Sequence, residues 1–195
     1  LLVGAMHTYP NAEEYELSAA PRDVGIIRAT INLMVSYDGR YATNLMHAIN
    51  PLTFNWINGY KLLPVFSIFC LTIALYFFFR TFLKFESRWT LLFIALLTIV
   101  AFFDCLPTLV CALYWAGGSF VYLYPLIFTL LFATTCYYYL QADSNSSYML
   151  FVIASLTLLT AIGFNEMFLP FYTVVLAGLG MYQWLTDKLK FWKII

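Results

Sequence analysis

The sequence predicts an all-α fold: a polytopic transmembrane helical bundle with short interfacial helices in an N-terminal extracytoplasmic loop. Three observations predict it. The 195 residues are 63% hydrophobic and only 10% charged. A soluble domain carries about 25% charged residues, and one this apolar would expose large patches to water. The apolar residues fall into five long runs, at 61–83, 89–113, 119–140, 148–163 and 167–184, each near the ~20 residues that cross a bilayer as a helix. The runs are continuous, whereas membrane strands alternate apolar and polar positions. Without water, such a span must satisfy its own backbone as a helix.

Taken in order, residues 1–5 are apolar and stop abruptly, so they read as the end of a truncated transmembrane helix and the chain as a piece of a longer protein. The basic and small-residue parts of a signal peptide are missing from this stretch. Residues 6–60 form a polar loop. Within it Ile27, Ile31, Met34 and Val35 recur at helical spacing, Pro21 stands where a helix can start, and Asp38-Gly39 signals a turn. Two helices are therefore expected, at about 22–36 and 40–49, the second closed by Asn50-Pro51. Residues 61–195 form the five-helix region. Its run at 148–163 is the shortest and needs flanking residues to span. Cys70, Cys105, Cys111 and Cys136 all lie within apolar runs without metal-binding spacing, and read as small core hydrophobes. The formal net charge is zero, which gives no support to a nucleic-acid partner.

Lysine and arginine set the orientation. Arg80, Lys84 and Arg88 follow the first run, and Lys188, Lys190 and Lys193 follow the fifth. An even number of crossings separates them, so both groups face the cytoplasm by the positive-inside rule. The loop at 141–147 then lies inside, with its sequon Asn145-Ser146-Ser147. The N-terminal region and the loops at 114–119 and 163–166 lie outside. Arg22, Arg28 and Arg40 in the N-terminal region run against this bias, but long loops translocate largely regardless of charge.

The outer segments hold the unusual polar residues. Glu13-Glu14 is a pair of adjacent carboxylates, suited to general acid or base work or simply a solvated acidic loop. In Tyr37-Asp38-Gly39-Arg40, the arginine can offer its fork to a phosphate, or can pair with Asp38 or reach the headgroups. Tyr114-Trp115-Ala116-Gly117-Gly118, with Tyr122 just beyond, is either an interfacial aromatic belt or a surface for a sugar or lipid-linked substrate. Asn165-Glu166 places an acid between two apolar runs, as a loop residue or a functional one. Asp104 falls inside the second run, about ten residues or roughly 15 Å from its outer end. A charge there needs a polar cavity, a partner or a proton, and Pro107 can kink the helix beside it.

In order along the chain these segments are an acidic pair after a first membrane helix, an aromatic-x-Gly-Arg turn, an outer Tyr-Trp-x-x-Gly and an outer Asn-Glu. That order resembles multi-pass GT-C-type glycosyltransferases, and in particular a bacterial membrane-protein family close to them. The usual pattern there is Asp-Asp followed by Trp-x-Gly-Arg; here the pair is Glu13-Glu14 and the turn Tyr37-Asp38-Gly39-Arg40. The resemblance implies transfer of a sugar from a polyprenyl-phosphate carrier to a glycan or lipid acceptor on the outer face of the cell membrane. It implies Glu13 or Glu14 as base, Arg40 as phosphate clamp, and Asp38, Asp104, Tyr114, Trp115, Tyr122, Asn165 and Glu166 around the substrate. It implies no metal and no cofactor. The partners it implies are the lipid bilayer, the lipid-linked sugar and the acceptor. An outward cavity with an intramembrane Asp104 also suits a transporter or lipid flippase, and a structural subunit without chemistry is the third reading.

Overall fold

Local chemistry sets the helix boundaries of the polar N-terminal stretch. Asn11 opens a helix by a reciprocal cap: its side chain accepts from the Glu14 N–H at 2.8 Å, and the Glu14 carboxylate accepts from the Asn11 N–H at 3.0 Å. Gly25 closes that helix at φ +85°, a region open to glycine. Asp38 builds the next turn, its Oδ1 accepting from the Arg40 N–H at 3.1 Å and from Asn44 Nδ2 at 2.9 Å.

A computed structural model describes residues 2–83, 85–142 and 144–192. Among the described residues every regular element is helical and there is no strand. The elements are α1 (Leu2–Met6), α2 (Ala12–Val24), α3 (Ile26–Ser36), α4 (Tyr41–Ala48), a 3-10 turn at Pro51–Phe54, α5 (Ile57–Phe82) and α6 (Arg88–Asp104). A π turn at Val110–Tyr114 leads into α7 (Ala116–Gln141), which is π-wound over Ser119–Leu123, and then come α8 (Ser144–Phe164) and α9 (Phe168–Trp192).

Three buried clusters hold these together. Leu71, Ala74 and Leu75 of α5 pack with Ala95, Ile99 and Phe103 of α6 and with Leu123 and Ile127 of α7, so α5 lies between α6 and α7. Phe132 of α7, Ala154 and Ala161 of α8 and Tyr172 of α9 form a second cluster. The third seats the N-terminal region on one end of the long helices, through Ala42, Leu52, Tyr60, Phe120, Tyr124 and Phe164. Thr43 Oγ1 donates to the Phe164 carbonyl at 2.8 Å, the Tyr41 hydroxyl donates to the Leu159 carbonyl, and Arg22 donates to the carbonyls of Leu52 and Thr53.

The helices α5 and α7 are long and apolar enough to cross a membrane. Their surroundings are apolar outside as well as inside: Phe66, Phe69, Phe93, Leu97 and Val100 all face outward. On α3, Ile27, Ile31 and Val35 are likewise exposed.

The structure departs from the sequence expectations in three places. The helix expected at 22–36 is two helices, because Pro21 sits inside the last turn of α2 and Gly25 makes the break. The acidic pair is therefore on a helix rather than in a loop. The run at 89–113 is not one helix: α6 stops at Asp104, and Pro107, which has no N–H and biases Leu106 away from helical angles, keeps it from resuming at once. Asp104 is thus the exposed last residue of α6. Of the residues used for orientation, Lys84 and Lys193 lie outside the described residues, as does Leu1. The sequon falls in the first turns of α8.

Gly118 marks the tightest point of the fold. A Cβ there would fall onto the Cys111 carbonyl oxygen, which is backbone and cannot swing aside. Gly118→Ala is expected to destabilise the protein by about 1–3 kcal/mol, read as a lower unfolding midpoint in detergent.

Candidate functional site

The site begins with Glu14, which is 2% exposed. Besides the Asn11 N–H, its carboxylate accepts from the Tyr60 hydroxyl at 2.6 Å and from the Ala116 N–H at 2.9 Å. Ala116 is the first residue of α7, where backbone N–H groups have no partner within their own helix and the helix dipole favours a negative group. One side chain thus caps two helices, its own and α7, and ties both to α5. The spacing of sequence neighbours on a helix sends Glu13 another way, and Glu13 is exposed.

The second joint is Arg40. Its Nε and Nη2 donate to Oε2 and Oε1 of Glu166 at 2.6 and 2.9 Å, a two-pronged contact between residues 126 positions apart. Asp38 Oδ2 stands 3.7 Å from the same Nε. The hydrogen bond from Arg40 holds the Glu166 carboxyl below its ordinary value, against a smaller opposing effect of burial. The same bond raises Arg40. Tyr122, itself exposed, lies close enough to act on the Arg40 charge. Asn165 fastens the α8–α9 turn, donating from Nδ2 to the Val121 carbonyl at 3.2 Å and accepting from the Met167 N–H at 3.0 Å.

These joints enclose two spaces. A small cavity of about 90 Å³ is lined by Glu13, Glu14, Asp38, Arg40, Asn44, His47 and Trp115, among others. Beside it runs an open groove of about 770 Å³, lined by His7, Tyr9, Tyr60, Tyr114 and Trp115 and again by Glu13 and Glu14. The acidic pair and Trp115 therefore form the wall between cavity and groove. Lys61 lies over the Tyr9 ring at 4.6 Å. His47 is buried, and burial lowers its pKa to about 4 against the opposing charge of Asp38, so its imidazole is neutral at pH 7.

Of the residues singled out from sequence, Glu13, Glu14, Asp38, Arg40 and Trp115 line the cavity, and Tyr114 lines the groove. Glu166 reaches it through Arg40, while Tyr122 is exposed and in neither lining. Asn165 acts on the backbone of α7 and of its own turn. Asp104 does not join them: it ends α6, exposed, and is absent from both linings. Sequence reasoning missed His47, Asn44 and Tyr60. Their only signal was position, His47 and Asn44 standing seven and four residues after the Arg40 turn, on one face of α4. Among the described residues no group of three or more His, Cys, Asp or Glu side chains is placed to hold a metal ion.

Two predictions follow from this geometry. Glu14→Gln turns an amide N–H₂ toward groups that are themselves donors, and is expected to lose about 1–3 kcal/mol. Glu13→Gln should stay within about 0.5 kcal/mol. Paired thermal melts check the contrast. Because the folded-state pKa of Glu166 is depressed, its stabilising contact with Arg40 is complete above the ordinary value of 4.5 and is lost as pH falls through the lower folded value. A carboxyl-carbon NMR titration should place Glu166 below 4.5, and Arg40→Gln should move it back up. Comparisons with protein-family models, with curated proteins and with solved structures found no match for this chain.

Proposed function

We propose that the chain acts as a polytopic membrane glycosyltransferase of the GT-C type, moving a sugar from a polyprenyl-phosphate carrier to a glycan or lipid acceptor at the extracytoplasmic face. One observation carries this reading. The acidic pair, the Gly-Arg turn, Trp115 and the Asn-Glu turn come from four separate stretches of sequence, and all meet at one end of the long helices. In this reading α6, α8 and α9 cross the membrane with α5 and α7, their outward phenylalanines and leucines against lipid. The exposed apolar face of α3 lies at the interface. In this reading the end that gathers the acids is extracytoplasmic, since the arginines and lysines that follow the first and fifth apolar runs favour the cytoplasm.

The chemistry divides between the two spaces. Glu13 stands free on the wall between them and takes the proton of an acceptor hydroxyl lying in the groove. The acceptor oxygen bonds to the anomeric carbon as the bond from that carbon to the carrier's phosphate oxygen breaks. The carrier leaves as polyprenyl phosphate. Arg40 holds that phosphate with its fork, which Glu166 occupies when no substrate is present. Glu166 is more than half exposed, so a phosphate can replace it from the solvent side without opening the cavity. Tyr114 and Trp115 offer ring faces to the sugars. Glu14, buried with three donors on it, is a positioning residue that holds α2 and so aims Glu13.

A transporter or lipid flippase is the alternative reading; Asp104, on which it drew in part, ends α6 apart from the gathered polar residues. The test is transfer from polyprenyl-phosphate sugars in membrane vesicles. Glu13→Gln is expected to lower transfer by about 10²–10⁴-fold with its melting midpoint unchanged. Arg40→Lys, which keeps the charge and loses the fork, should weaken use of the carrier. Full transfer by Glu13→Gln overturns the assignment.

A further inference from the structure

The helix α3 is turned inside out for a helix on a protein surface. Such a helix usually sends its large apolar side chains inward. Here the packed side carries Ala29, 1% exposed, and Thr30, while Ile27 is 75% exposed, Ile31 53% and Val35 84%. We infer that α3 is a lipid-docking helix, its apolar stripe seated against the lipid chains at the boundary of the headgroup layer, and that it thereby sets the Arg40 turn at the level of the lipid phosphates. The inference rests on the reading of α5 and α7 as membrane-spanning helices and not on the transfer chemistry.

The side chains of α3 fall into three sectors. By helical geometry, Ile27, Ile31, Met34 and Val35 share an arc of about 100°, and all four are exposed. Arg28, Asn32 and Ser36 follow one another at every fourth position, which sets them on one ridge along an edge of that arc, and they too are exposed. Ala29 and Thr30, with the half-buried Ile26 and Leu33, take the remaining side, where α3 packs on α2 and α4. A helix with one side on protein, one side open and apolar, and a polar ridge between them is arranged for the line where protein, lipid and water meet.

Position, charge and size name lipid as the occupant of the stripe. The helix α4, on which α3 packs, is bonded to the last turns of α8 through Thr43 and Tyr41, and its Ala42 shares a cluster with Tyr60 of α5. The stripe therefore lies about one helix diameter, some 10 Å, from the ends of the long helices, the depth at which interfacial helices bury their apolar faces. Arg28 on the ridge makes no ion pair among the described residues, so its guanidinium is free for a lipid phosphate beside the stripe. A second copy of the chain is a poor fit. One helix of 11 residues gives a strip about 16 Å long, whereas a stable dimer buries ~800 Å² on each partner. The Arg40 turn is bound to this helix: the N–H groups of Tyr37 and Asp38 both donate to the Leu33 carbonyl, at 2.9 and 3.2 Å, and Asp38 Oδ1 accepts from the Arg40 N–H. The depth of α3 is therefore also the depth of Arg40.

The test is photo-crosslinking of the full chain in nanodiscs of phosphatidylethanolamine and phosphatidylglycerol. The photoreactive residue p-benzoylphenylalanine is placed at one position at a time, and adducts are located by tandem mass spectrometry. At Ile27 and Ile31 the adducts are expected on acyl-chain carbons; at Asn32, on the ridge, no acyl-chain adduct is expected. At Tyr37, exposed just past the end of α3, they are expected on glycerol or headgroup carbons. Phe69, outward on α5, is the control and should give acyl-chain adducts. Crosslinks between two copies through Ile27 or Ile31 overturn the inference, and so do acyl-chain adducts at Asn32 as abundant as those at Ile31. No lipid adduct at Ile27 and Ile31 while Phe69 forms one also overturns it, leaving the stripe in water and the membrane reading intact. Silence at Phe69 as well overturns both. Acyl-chain adducts on the stripe without glycerol or headgroup adducts at Tyr37 keep the docking and overturn the placing of Arg40. Transfer activity enters none of these readouts, so the fate of Glu13 as a base is decided separately.

Discussion

The arrangement depends on one buried carboxylate. Glu14 accepts from the N–H that opens its own helix, from the first N–H of α7 and from the Tyr60 hydroxyl of α5. A carboxylate this deeply covered is costly unless its oxygens are engaged, and here its three partners are all donors. The same bonds that offset its burial dock α2 onto two long apolar helices. Apolar packing does not define that docking well, since α2 carries few large hydrophobic residues.

Once α2 is docked, the rest of the polar end follows. The α2–α3–α4 segment is short of apolar anchors, yet its turn at Asp38–Arg40 must reach the α8–α9 turn. Arg40 and Glu166 bridge that gap with a two-pronged contact, and Thr43 and Tyr41 bond to the last turns of α8. The two joints differ in character. Glu14 is sealed from solvent and suited to permanence. Arg40 and Glu166 are partly open, so an incoming anion can compete for the guanidinium.

Much of this was legible before the tertiary structure. Long unbroken apolar runs against few charges allowed only helices, and α5 and α7 match two of the expected runs to within a few residues. The acids and the Gly-Arg turn were recognisable as unusual in so apolar a chain. The run at 89–113 misled, because hydropathy is blind to a backbone interruption whose side chains stay apolar; Pro107 was the clue, and its effect is a stop rather than a kink. The helix carrying Glu13 and Glu14 was also missed, since Pro21 reads equally well as a helix start and as a tolerated residue in a last turn.

By itself, then, the sequence determined the helical class, the positions of the long apolar helices α5 and α7 and the pool of polar residues from which a site can be built. These are local properties, set by composition, periodicity and the backbone's need for hydrogen bonds. The tertiary structure alone decided that Glu14 is a buried cap while Glu13 stands free, that Arg40 meets Glu166, that Asp104 is left out, and that His47 and Trp115 line one cavity. Such choices hinge on which helix ends come together in space. A residue's neighbour across 126 positions is fixed by packing of the whole chain, and no short window of sequence carries that information.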